Sequence, residues 1–145
     1  MNGGPHMSKK AKIPAACCAL ALLLCLALSQ LTPEKRVARY VASHQTELQS
    51  SMDAYFDQGR PLSYDSAIPA VNHWPGQHPM VEYILLTGFG YYGFYYSPDD
   101  VPLAFQNVPV PLEESSNGWQ WQAEGDDRGS THRLSPGWFY FEAHF

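Results

Sequence analysis

Apolar residues recur with a helical period between positions 32 and 59. Thr32 followed by Pro33 is a typical helix start, and Gly59 followed by Pro61 is a typical stop. The residues that share one face at this spacing are Val37, Tyr40, Val41, His44, Leu48, Met52 and Tyr55. The pattern therefore predicts one long amphipathic helix of about 25 residues.

The pattern changes to short β-type runs after a proline-rich stretch. Residues 60–80 show no sustained period and predict a loop, with one short strand near 66–71. Residues 81–86 and 91–96 are rich in β-branched and aromatic side chains. The glycine-containing link at 87–90 joins these two runs and predicts an antiparallel hairpin.

The remainder of the chain predicts a meander. Three prolines make residues 101–114 an edge segment at most. Three short runs, 119–123, 131–134 and 138–145, are separated by turn residues and predict three strands. The fold class expected is α+β, with the long N-terminal amphipathic helix packed on a four- to five-stranded antiparallel sheet.

The N-terminal segment carries a targeting signal ahead of this domain. Sixteen residues without charge, 13–28, follow a basic region that contains Lys9, Lys10 and Lys12. We interpret residues 1–12 as this basic region, 13–29 as a signal anchor or signal peptide, and 30–145 as one extracytoplasmic domain. Cleavage near Ser29 is the alternative to retention. Met7 begins a conventional signal, so residues 1–6 are interpreted as an alternative start or a non-native addition.

Charge excludes one class of partner. After residue 29 the chain has 6 basic and 14 acidic side chains, a formal balance of −8. Nucleic acid is not expected as a partner, because its phosphates require a basic surface. All three cysteines precede residue 30, so the outer domain is expected to fold without disulfides.

Two motifs carry a resemblance to known proteins. They are the run G-F-Y-Y-S-P-D-D at 93–100 and the ending W-F-Y-F-E-A-H-F at 138–145, with Gly125-Asp126 between them. In these motifs residues 35–145 resemble a family of short membrane-anchored or secreted proteins of Gram-positive bacteria. The resemblance implies a single-pass cell-membrane protein with its C-terminal domain outside, and it implies no activity.

The last strand contains the clearest candidate for catalysis. Alternation places Phe139, Phe141, Ala143 and Phe145 on one face, predicted to be core. Glu142 and His144 then share the opposite face at a separation that suits a general acid/base pair. The alternative is that both side chains form cross-strand contacts with residues such as His132 or Arg133. No candidate nucleophile accompanies the pair.

Metal and cofactor sites are not predicted. His73 and His78 match no zinc-ligand spacing, and no EF-hand pattern is present. The acidic pairs at 99–100, 113–114 and 126–127 are typical of turn caps and solvated charge. P-loop, dinucleotide-binding and nucleophile-elbow motifs are also absent from the sequence.

Aromatic residues supply the remaining signal. Twenty Phe, Tyr and Trp side chains follow residue 29, and five of them crowd residues 91–96. An exposed aromatic sheet face would suit sugar rings or a protein partner. The candidate binding residues are Tyr92, Tyr95, Tyr96, Trp138 and Tyr140. The alternative is a sheet that is covered on both faces.

Three functions follow from these observations. The first is a non-catalytic envelope module that binds a protein or a cell-wall glycan through the aromatic face. The second is a small envelope hydrolase that uses Glu142 and His144. The third is a purely structural domain.

Overall fold

The computed structural model describes residues 32–62, 64–87 and 90–145, with only the backbone at 86 and 87. The part from Pro33 to Phe145 forms one compact unit. The basic region 1–12 and the apolar segment 13–29 lie outside the described residues, so the predicted anchor stays a prediction. In the part that the structure describes, no helix is both long and apolar enough to cross a bilayer.

The predicted helix is confirmed. Helix α1 covers Pro33–Gln58 and places the acidic Glu34 in its first turn, where the helix dipole favours a negative charge. It ends at Gly59, whose backbone has a φ of 63° and whose N–H donates to the carbonyl oxygen of Tyr55 at 3.1 Å. The residues of its stripe that become buried are Val37, Val41, Leu48 and Met52.

One antiparallel sheet contains all seven described strands. The strands are β1 (Ala70–Trp74), β2 (Met80–Thr87), β3 (Gly90–Tyr96), β4 (Glu113–Ser115), β5 (Gly118–Gln122), β6 (Arg128–Ser135) and β7 (Trp138–His144). Their order in space is β1-β2-β3-β7-β6-β5-β4. The α+β class, the hairpin β2–β3 and the meander β5–β6–β7 are confirmed. The predicted count of four to five strands was wrong.

The two additional strands lie at the edges of the sheet. Strand β1 follows Pro69 and β4 comes two residues after Pro111, and both belong to segments that the sequence predicts to be mainly loop. Proline cannot donate to a strand ladder, so proline-rich sequence weakens a strand prediction even where an edge strand forms. The predicted strand near 66–71 lies at 70–74 instead.

Both faces of the central strands β2, β3 and β7 are covered. On the face that we call the helix face, Val37 and Val41 of α1 pack with Phe94, Trp138 and Tyr140. On the opposite face, the strap face, the chain between β3 and β4 crosses the sheet. This strap, residues 101–112, buries Leu103, Ala104 and Phe105 against a cluster that includes Tyr95 and Phe141. The interpretation of 101–114 as at most an edge segment holds for its end, where the edge strand β4 begins, whereas residues 101–112 form the strap across the sheet.

A buried tyrosine hydroxyl holds the strap on the sheet. The hydroxyl of Tyr95 accepts from the backbone N–H of Leu103 at 2.7 Å and lies 2.8 Å from the Thr131 hydroxyl. Burial raises the pKa of Tyr95, so the phenol keeps its proton. Because the strap has few backbone partners of its own, this side chain provides hydrogen bonds that a strand ladder would otherwise supply.

A buried carboxylate provides the second attachment of the strap. Glu82 on β2 is 0% exposed. Its carboxylate accepts from the indole N–H of Trp74 and from the backbone N–H of Gln106, both at 2.9 Å. Gln106 has a φ of 55°, in the left-handed region, so the strap backbone does not continue as a regular helix or strand at this contact. Burial raises the pKa of Glu82 above its ordinary value of 4.5.

The raised pKa of Glu82 predicts a pH dependence of stability. The folded protein binds this proton more tightly than the unfolded chain does, so the contribution of Glu82 becomes less favourable as pH rises from 4.5 toward the raised value. The free energy of unfolding of the wild type, relative to that of Glu82→Gln, should therefore fall over this window. Urea unfolding of both proteins at several pH values measures the difference. A difference that rises with pH would contradict the burial argument.

Candidate ligand-binding groove

The five aromatic residues predicted to bind a ligand do not form an exposed patch. Tyr95, Trp138 and Tyr140 are buried, with exposed fractions of at most 1%. Tyr92 and Tyr96 are half-buried. Tyr95 also lies on the strap face, whereas Phe94 and Trp138 pack under the helix. The sequence could not show this, because alternation separates two faces but does not reveal what covers each of them.

The helix-face aromatics serve the packing of α1. Gln49 of the helix accepts from the indole N–H of Trp138 at 3.1 Å and donates to the hydroxyl of Tyr96 at 3.2 Å. Tyr92 lines a small hollow with Arg36 and Val37 at the start of the helix. These contacts are those of a helix docked on a sheet.

The motifs at 93–100 and 138–145 contribute neighbouring strands at the centre of the sheet. Strands β3 and β7 pair so that Gly93 lies opposite Phe141 and Tyr96 opposite Trp138. Asp100, at the end of the first motif, accepts from the backbone N–H of Gly137 at 2.7 Å and from the Arg133 guanidinium. The hydrogen bonds from Arg133 and from the backbone of Gly137 lower the pKa of Asp100. Both motifs therefore contribute mainly to the core and its turns.

A polar groove opens elsewhere, over strands β4 to β7. Its volume is about 410 Å³, within the range of small-molecule sites. Among the nine described residues that line it, six have polar or charged side chains, namely Glu113, Gln120, Gln122, Arg128, Ser130 and His144. Each of the six is exposed or half-buried.

Strand register explains why these side chains converge. His132 pairs with the helix-face residue Tyr140, and residues directly opposite in an antiparallel pair share a face. Along the same strands, Arg128 pairs with His144 and Ser130 with Glu142. The remaining pairs that extend this face toward the edge of the sheet are Gln120 with Ser130, Gln122 with Arg128 and Glu113 with Gln120. The six residues therefore lie on the helix face, beyond the region that α1 covers.

The start of the helix closes one end of this polar surface. The ring nitrogen Nδ1 of His132 lies 2.9 Å from the Glu34 carboxylate. This contact joins the first turn of α1 to β6. It positions the start of the helix next to the groove.

The predicted acid/base pair lies at this surface, but its members do not contact each other. Glu142 accepts from the hydroxyl of Tyr140, and burial together with this contact raises the pKa of Tyr140. Within the described residues no hydrogen bond or ion pair joins Glu142 to His144. The expected cross-strand contacts are also different, because His132 binds Glu34 and Arg133 binds Asp100.

A buried indole adjoins the groove. Trp121 is 5% exposed and lines the groove, yet it belongs to the strap-face cluster. Its Nε1 atom is buried without a hydrogen-bond partner among the described residues. An unpaired buried donor costs about 1–3 kcal/mol. Gly129 leaves room for the ring, because a Cβ at this position would lie 2.4 Å from it.

Sequence reasoning missed the groove residues on β5 and β6. The alternation of Trp119-Gln120-Trp121-Gln122 does place both glutamines on one face. That signal predicts a polar face but not a site, because Arg128 and Ser130 follow after a turn with no motif around them. Only the register brings them opposite Gln122 and Gln120.

The two histidines considered for metal binding contact different residues. His73 lies 2.7 Å from the hydroxyl of Tyr55, and His78 lies 2.9 Å from the Asp99 carboxylate. Across the described parts of the chain, no three His, Cys, Asp or Glu side chains are grouped to hold a metal ion.

Comparison with known proteins leaves the groove as the main guide to function. No protein-family model matches this sequence, and no curated protein or solved structure is significantly similar to it. The chemistry of the groove residues therefore provides the evidence for function.

Proposed function

We propose that this protein is a non-catalytic binding module of the cell envelope, with the groove over β4–β7 as its ligand site. The observation that carries the proposal is the convergence of amide, hydroxyl, guanidinium and imidazole groups in one concave surface. These groups provide both donors and acceptors to a polyhydroxylated ligand. We infer that the ligand is a short stretch of cell-wall glycan.

The dimensions of the groove favour a glycan over a protein partner. A stable protein interface buries about 800 Å² on each side and usually contains exposed aromatic anchors. The candidate aromatic residues of this chain are instead buried or half-buried. A groove of about 410 Å³ accommodates a small polar ligand without a further anchor.

A binding role fits the geometry better than hydrolysis. General acid/base catalysis requires a base within hydrogen-bond reach of the group that it activates and a partner that orients it. The Glu142 carboxylate is occupied by the hydroxyl of Tyr140. His144 has no orienting carboxylate among the described residues.

The location is inferred from the sequence. The basic region 1–12, the apolar segment 13–29 and the resemblance to a Gram-positive family all support a single-pass protein with its domain outside the membrane. Secretion after cleavage near Ser29 would bring the same domain to the same compartment. A cell-wall glycan is present in that compartment.

Binding at the groove should depend on Arg128. We expect soluble peptidoglycan fragments to bind the full-length protein in neutral detergent, and Arg128→Ala to weaken binding about tenfold because a charged donor is lost. Arg60→Ala is the matched control, since Arg60 follows α1 and does not line the groove. Isothermal titration measures both affinities.

The same samples distinguish binding from hydrolysis. The fragments recovered after titration should have unchanged masses. Absence of binding, or equal loss of affinity in both arginine variants, would overturn the proposed site. Cleaved fragments whose formation requires His144 would favour the hydrolase instead.

A further inference from the structure

We infer that the groove recognises an oxyanion, held between Arg128 and His144; this inference rests on the proposed function and specifies its ligand. The two side chains lie directly opposite each other on β6 and β7. Cβ atoms in such pairs are about 4.5–5.5 Å apart. Both side chains line the groove, and a carboxylate or phosphate group accepts hydrogen bonds from guanidinium and imidazole N–H groups.

The pairing is unusual in a domain with this charge balance. Six basic side chains face 14 acidic ones after residue 29. Among the described residues, His78, His132 and Arg133 each have a carboxylate partner. Arg128 and His144 have none in that part of the chain, although acidic side chains are abundant.

The acids near the pair leave it available to a ligand. Glu142 lies next to His144 in alternation, but its carboxylate is bound by Tyr140. Glu113 is the only carboxylate among the described residues that line the groove. It pairs with Gln120, and Arg128 pairs with Gln122, two residues further along β5. The side chains that line the groove are therefore basic at β6–β7, amides in the middle and acidic at β4. Glu124, Asp126 and Asp127 belong to the turn before Arg128 and do not line the groove.

This polarity predicts how a ligand lies in the groove. An oxyanion at the basic end forms charge-assisted hydrogen bonds with Arg128 and His144. Hydroxyl or amide groups of the same ligand then reach Gln120, Gln122 and Ser130. Cell-wall polymers contain such oxyanions either as sugar carboxylates or as polyol phosphates, and both share this chemistry.

Matched ligand pairs test the inference on the full-length protein in neutral detergent. N-acetylmuramic acid and N-acetylglucosamine have the same sugar ring, but only the first has a carboxylate. Glycerol 1-phosphate and glycerol form the corresponding phosphate pair. In NMR titrations we expect at least one anionic member to bind at least about tenfold more tightly than its neutral counterpart. The pair that shows the preference identifies the source of the oxyanion.

Variants locate the preference. Arg128→Gln and His144→Gln should each abolish most of the preference for the anionic ligand over its neutral counterpart. Arg60→Gln should retain this preference. Glu113→Gln removes a repulsive charge and should strengthen anion binding. Neutral and anionic ligands that bind equally at the groove would overturn this inference and leave the proposed function standing. Failure of all ligands, including peptidoglycan fragments, to bind would overturn both.

Discussion

Phe141→Ala is expected to lower the free energy of unfolding by about 3–5 kcal/mol, because a fully buried phenylalanine leaves a cavity when truncated. Phe141 is 0% exposed at the centre of the strap face. Its ring lies 5.3 Å from that of Phe105 in the strap and 6.5 Å from that of Tyr95. Its loss therefore weakens the contact between sheet and strap. Urea unfolding of the full-length protein measures the effect.

Phe145→Ala is a matched control for this substitution. Phe145 is the same residue type, and alternation predicts it to share the core face of Phe141. In the structure it is 60% exposed, although its ring contacts Tyr91 and Phe105. We expect a loss below about 1 kcal/mol. His144 is exposed on the helix face, so His144→Ala should also lower the free energy of unfolding only slightly. Equal losses for Phe141→Ala and Phe145→Ala would contradict the observed burial.

Gly93→Ala is the second substitution with a large expected effect. A Cβ at this position would lie 1.9 Å from the backbone carbonyl oxygen of Tyr83 and 3.0 Å from the ring of Phe141. The carbonyl belongs to the neighbouring strand β2, so relief of the clash requires movement of the central sheet. Overpacking of a well-packed core usually costs about 1–3 kcal/mol, and a backbone clash of this size places the substitution at or above the upper end.

Gly76→Ala provides the comparison for Gly93. A Cβ at position 76 would lie 3.2 Å from the side-chain nitrogen of Asn107, a contact that a shift of a few tenths of an ångström relieves. We expect a change within about 0.5 kcal/mol. Thermal unfolding of the two variants and the wild type compares them directly. A melting temperature for Gly93→Ala equal to that of Gly76→Ala would show that β2 and β3 are not as close as described.

The sequence predicts the local elements because their signals are local. Thr32 and Pro33 start the helix, and the stripe from Val37 to Met52 places its buried face. The aromatic and β-branched runs on either side of residues 87–90 predict the hairpin, and turn residues between short runs predict the meander. Each of these elements is confirmed at the level of its type and approximate position.

Elements that depend on contacts with residues distant in sequence could not be predicted in this way. The edge strands β1 and β4 and the strap lie in proline-rich sequence, which gives no clear strand pattern. Their backbone hydrogen-bond partners come from other elements of the fold. Tyr95 illustrates the point: its hydroxyl is satisfied by Leu103 and Thr131, which are 8 and 36 residues away. The aromatic excess therefore leaves open whether the aromatic face is exposed or covered, and the strap and the helix cover it.

By itself the sequence determined the α+β class, the helix, the hairpin and the presence of Glu142 and His144 on one face of the last strand. Periodicity is a property of each segment, so these features follow from nearest neighbours in the chain. The tertiary structure alone decided the strand order, the covering of both faces and the meeting of Gln120, Arg128, Ser130 and His144 in one groove. Register between strands positions those side chains, and register is set by pairing across the whole sheet.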